Sequence, residues 1–90
     1  MVGGNPYTES KKGSVIKRTF SKNVDSDELV WHRDHHTRRV KIVQGEGWQF
    51  QSDGNIPEEL YEGKEIIINK NTYHRLIKGA TDLVVNIWEK

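Results

Sequence analysis

From Val15 to Trp88 the chain alternates between apolar and polar residues with a period of two, and turn residues interrupt the pattern every few positions. That period puts successive side chains on opposite faces of an extended chain, so it specifies half-buried strands rather than helices. The runs are VIKRTF (15–20), ELVWHRD (28–34), RRVKIV (38–43), GWQFQ (47–51), KEIIIN (64–69), TYHRLI (72–77) and DLVVNIW (82–88). Between them lie the turn signals DSD, GEG, SDGN, NKN and KGAT, of which Gly45-Glu46-Gly47 reads as a hairpin turn closing the third strand. Short strands at even spacing predict an all-β barrel or sandwich of short antiparallel strands. IPEELYEG (56–63) is the one stretch with room for a helical turn. Residues 1–13 show no periodicity and are expected to form a flexible arm, leaving residues 14–90 as a single barrel domain.

A domain of 90 residues buries only about 60–65% of its unfolded surface, so a partner subunit, a metal or a disulfide is a common supplement. The chain has no cysteine, which removes disulfides and thiolate metal ligands together. Its 14 Lys and Arg nearly balance 13 Asp and Glu, and a net charge of +1 makes no general case for nucleic acid or membrane surfaces. The first residues carry no apolar run, and no stretch approaches the roughly 20 apolar residues of a membrane span. A soluble, cytoplasmic protein is the expectation.

Alternation also assigns faces. Val30, His32 and Asp34 share one face of their run, Arg38, Val40 and Ile42 share another, and His74 goes with Leu76. Taking the purer aliphatic sets as inward gives an interior of Val30, Val40, Ile42, Leu76, Leu83, Val85 and Ile87. His32, Asp34, Arg38 and His74 then point into that interior. Four polar side chains among aliphatic ones are costly unless they are paired, coordinated or wetted at a mouth.

These residues resemble the motifs of the cupins, small jelly-roll barrels also described as a double-stranded β-helix. The first cupin motif runs Gly, five residues, His-x-His, three or four residues, Glu, six residues, Gly. Here His32 and Asp34 take the two histidine positions, Arg38 stands at the glutamate, and Gly45 follows in register. The second runs Gly, five residues, Pro-x-Gly, two residues, His, three residues, Asn, and Gly63, Asn69, Asn71, His74 and Lys78 fall on those positions. Asn71 for glycine is a mild change, because Asn tolerates the left-handed backbone such a turn needs. The resemblance implies a divalent metal held by the motif histidines and carboxylate. This chain offers His32, Asp34 and His74 for it, whereas the Arg38 guanidinium cannot ligate.

Two histidines and one carboxylate suit iron, manganese, nickel or zinc. A second reading is a metal-free pocket in which Arg38 pairs with Asp34, Val40 and Leu76 line the wall, and a small anionic or sugar-like ligand enters the mouth. A third is purely structural, with the same groups satisfying one another. Trp31, Trp48, Trp88, Tyr73 and Phe20 include several on faces opposite the aliphatic lining, which predicts a partner surface and a homodimer. A rival class is an OB-type barrel binding single-stranded nucleic acid, faintly suggested by KGSVIKRTF (12–20). No second aromatic-rich strand follows it, and nucleic acid is not the expected partner.

Overall fold

The computed structural model describes residues 6–89. Eight strands run in chain order: β1 (Thr8–Lys12), β2 (Val15–Phe20), β3 (Arg38–Gln44), β4 (Gln49–Ser52), β5 (Glu58–Glu59), β6 (Glu65–Ile68), β7 (His74–Ile77) and β8 (Leu83–Glu89). They form two antiparallel sheets, one of order β1-β2-β8-β3-β6 and one of order β5-β4-β7. Among the described residues one 3-10 turn, Ser26–Glu28, is capped by Asp25, whose carboxylate accepts from the Asp27 amide. No helix among the described residues is long and apolar enough to cross a membrane.

The registers explain which side chains meet. On the larger sheet Ile16, Arg18 and Phe20 of β2 stand opposite Ile87, Val85 and Leu83 of β8. On the other flank of β8, Ile87 and Val85 meet Val40 and Ile42 of β3, and Arg38 meets Glu89. On the smaller sheet Phe50 pairs with Leu76 and Ser52 with His74. Directly opposed residues share a face, so the aliphatic sets of both sheets meet between them. The core contains Phe20, Val40, Ile42, Trp48, Phe50, Leu60, Leu83, Val85 and Ile87.

One end of this interior is sealed. Trp48 is fully buried, and its indole N–H donates to the Thr81 carbonyl at 2.6 Å. The two connections there touch directly: Ala80 N–H donates to the Glu46 carbonyl at 2.9 Å. Gly79 permits this approach, since a Cβ at that position would overlap the Glu46 carbonyl and the Trp48 amide.

Several expectations are corrected. Within the expected arm, Thr8–Lys12 form β1, paired with β2 from Thr8↔Thr19 to Lys12↔Val15; residues 1–5 lie outside the described residues. TESKK is exposed on both faces, and an edge strand of that kind has no apolar alternation to betray it. The run 28–34 is not a strand: only His32 pairs, through an isolated bridge to His74, and Val30 is 58% exposed rather than in the core. The 45–47 segment is not a hairpin but the crossing between sheets, because β4 pairs with β5 and β7. The 56–63 stretch contains β5 instead of a helical turn, and buries Leu60. Trp48 and Phe20, grouped above with aromatics off the lining, are core residues.

Candidate metal centre

The site is assembled at the open end of the interior by β7, the start of β3 and the irregular 29–37 segment between them in space. That segment is pinned at three places. His32 and His74 exchange both backbone hydrogen bonds, at 3.0 and 2.8 Å. The Asn71 amide donates to the Asp34 carbonyl at 2.7 Å, and the Lys70 amide donates to Thr37 Oγ1 at 3.2 Å. Asn71 itself has φ of 62°, the left-handed conformation that Asn accepts more readily than most residues.

The two imidazoles meet edge to face with centroids 4.4 Å apart. Each has its Nδ1 against a backbone carbonyl, Val30 at 3.0 Å for His32 and Thr72 at 2.8 Å for His74. A carbonyl only accepts, so each Nδ1 carries the hydrogen, and in the neutral ring Nε2 is left as a bare lone pair. For His74, which is 4% exposed, burial pushes the pKa below its ordinary value. The positive fields of His32 and Arg38 add to that effect, against opposing contributions from the Thr72 hydrogen bond and Asp34.

Asp34 supplies the third donor. Its Oδ2 is buried without a hydrogen bond, although it lies 3.3 Å from His74 Nε2. Two lone-pair donors facing each other at that distance repel unless a proton or cation lies between them. Ligand atoms of His32, Asp34 and His74 all fall within 4.8 Å of one another. The other carboxylate oxygen, Oδ1, faces Arg38 Nη1 at 3.4 Å. Arg38 is held from behind by Glu89: Nε donates to Oε2 at 2.9 Å and Nη2 lies 2.6 Å from the same oxygen. That hydrogen bond lowers the Glu89 pKa below the usual carboxylate value.

All four inward polar residues read from the sequence therefore converge on one place, and Val40 and Leu76 line the cavity beneath them. This cavity, of about 330 Å³, continues from the cluster into the interior and is walled by Val40, Ile42, Ile66, Leu76, Val85 and Ile87. His35 and His36 remain in the exposed loop. Two contributors escaped the sequence reading although its own alternation contained them. Glu89 continues the inward series Leu83, Val85, Ile87. Arg18 sits between the inward-facing Ile16 and Phe20, borders the cavity, stacks on Tyr7 at 3.9 Å and donates through Nε to Glu9 at 2.8 Å.

The residues fit a divalent ion: two imidazole nitrogens fixed in the ligating tautomer and an unsatisfied carboxylate oxygen, the set suited to zinc, iron, manganese or nickel. The Val30 and Thr72 carbonyls that accept from their Nδ1–H groups are outer partners of the kind that orient metal-binding histidines.

No protein-family model matches this chain, and no curated protein matches it. Solved structures do. A structure of the DMSP lyases RdDddP and RnDddQII superposes with a TM-score of 0.72 at 14% identity, over 84% of this chain and 37% of that one. A cupin-like protein from Thermotoga maritima gives 0.63 at 19% identity, over 82% and 54%. An RmlC-like cupin with a double-stranded β-helix fold from Methanocaldococcus jannaschii gives 0.71 at 11% identity, over 96% and 81%. The chain thus spans about a third of the first protein's length and about half of the second's. At these identities the likeness carries the fold. Two facing antiparallel sheets, an inward aliphatic lining and a polar mouth at one end make this chain a small jelly-roll domain with the double-stranded β-helix fold of the RmlC-like cupins.

Proposed function

We propose that His32, Asp34 and His74 hold a divalent metal ion at the mouth of the barrel, and that the site takes a small polar ligand. One observation carries this reading: three lone-pair donors converge within 4.8 Å, and one of them, Asp34 Oδ2, is buried with no hydrogen bond. When bound, such an ion supplies Lewis acidity and lowers the pKa of water or a ligand hydroxyl. The chain's own residues do the rest. The Val30 and Thr72 carbonyls orient the two rings, Arg38 holds Asp34 Oδ1 so that Oδ2 faces them, and the aliphatic wall limits water behind the cluster. The fold does not choose a reaction, and neither does the donor set.

The 3.4 Å approach of Arg38 to Asp34 favours a second reading, a metal-free pocket in which the guanidinium takes over the ion's charge. Elemental analysis of protein purified without an affinity tag, beside His74→Ala, separates the two. Near-stoichiometric metal that disappears in the variant supports the first. Metal-free native protein, with no change in melting temperature on adding divalent ions, removes it. A homodimer is proposed as well, supported by the exposure of Trp31 and Tyr73 on the outer side of the His32–His74 bridge. Light scattering that returns the mass of one chain would reject it.

A further inference from the structure

The cavity itself narrows the ligand. We infer that it takes a monocarboxylate with an apolar tail, the carboxylate beside the metal cluster and Arg38, the tail in the aliphatic interior; this rests on the metal reading above.

Charge selects the head group. Asp34 and Glu89 contribute two negative charges and Arg38 one positive, so a divalent ion leaves the mouth with one excess positive charge. The other charges on the cavity wall do not supply that function. Arg18 is neutralised by Glu9, and Glu28 is exposed and solvated. Arg38 lines the cavity with Nη1 3.4 Å from Asp34 Oδ1, so its guanidinium stands beside any anionic group that reaches the cluster. A cationic ligand would meet like charge there.

The wall selects the body. Below the cluster stand Val40, Ile42, Ile66, Leu76, Val85 and Ile87, none with a polar side-chain atom. A sugar's hydroxyls would lose water there without replacement, at a cost for each. A bare inorganic anion would leave the interior unfilled. An alkyl tail gains from every methylene it buries.

The test is calorimetric titration of zinc-loaded and metal-free protein with acetate, butyrate, hexanoate and octanoate, beside hexan-1-ol and hexylamine, with zinc content measured separately. Affinity is expected to rise roughly fourfold per methylene until the cavity is full. Hexanoate should bind about tenfold tighter than hexan-1-ol, a gap that shrinks in Arg38→Gln and on removing zinc. Leu76→Phe should shorten the best chain without changing the acid–alcohol gap, which keeps the test intact if the Arg38 variant does not fold. Zinc that binds while hexanoate binds no better than acetate or hexan-1-ol overturns the ligand class and leaves the metal reading standing. Zinc that fails to bind overturns the metal reading and, because the mouth then carries one excess negative charge, the argument for a carboxylate head group with it. Failure of both, or a preference for hexylamine, overturns the inference.

Discussion

The two ends of the barrel are built on different principles. At the closed end, Trp48 and Leu83 are fully buried, and neighbouring connections touch backbone to backbone through Gly79. At the open end, an irregular, largely exposed segment is held by one bridge and a few single hydrogen bonds, and the half-buried Asp34 it presents keeps one carboxylate oxygen unsatisfied. Regular packing is concentrated at the first and the candidate metal cluster at the second. The contrast shows how a small domain can carry an unsatisfied cluster: regular pairing elsewhere over-determines the backbone that presents it.

Substitutions at each end should separate these roles. Trp48→Ala removes a wholly enclosed side chain and should cost about 3–5 kcal/mol in denaturant unfolding. Whatever fraction stays folded should still bind metal; loss of metal affinity per folded molecule would mean that the ends are coupled. His74→Ala should lower metal affinity by at least about 100-fold, read by competition with a chromophoric chelator. Asn71→Ala places a Cβ-strained residue in a left-handed position and should cost about 1 kcal/mol, whereas Asn71→Gly should be nearly neutral. Equal losses in the two would show that the side chain, not the backbone, matters there.

The smallest effect is a pH dependence of the metal-free protein. His74 has a depressed pKa when folded, so the unfolded chain takes up the proton first. Its contribution is complete above the ordinary value of 6.5 and is lost as pH falls from there through the folded value. Midpoints of urea unfolding should therefore decline over that window, and the decline should flatten in His74→Gln. Glu89 adds a weaker loss below 4.5, discounted because its carboxylate is largely solvated.

The same contrast accounts for what was legible in the sequence. Strands β2, β6 and β7 lie within the runs read from alternation and β3, β4 and β8 overrun theirs by one residue, because each packs one face inward. The facing of His32, Asp34, Arg38 and His74 emerged from that pattern although 28–34 is no strand; one bridged pair, His32↔His74, suffices to set which way the ring points. Strand β1 was illegible because TESKK buries neither face. Trp48 was misplaced because burial at a crossing between sheets follows from how two connections meet, which no local period records. Arg18 and Glu89 were legible by position, but salt bridges to Glu9 and Arg38 depend on pairings between distant strands.

The position of β8 has a kinetic consequence. The last strand among the described residues lies at the centre of the larger sheet, between β2 and β3. Until residues 83–89 have been synthesised, β2 and β3 have no common neighbour, and the edges that β8 pairs stay unpaired. Closing loops of that length precedes any reward from the pairing, which places such topologies among slower-folding domains, in the millisecond-to-second range. Nascent chains that stop short of β8 should therefore be protease-sensitive and prone to associate through β2 and β3, making this strand the one that closes the larger sheet.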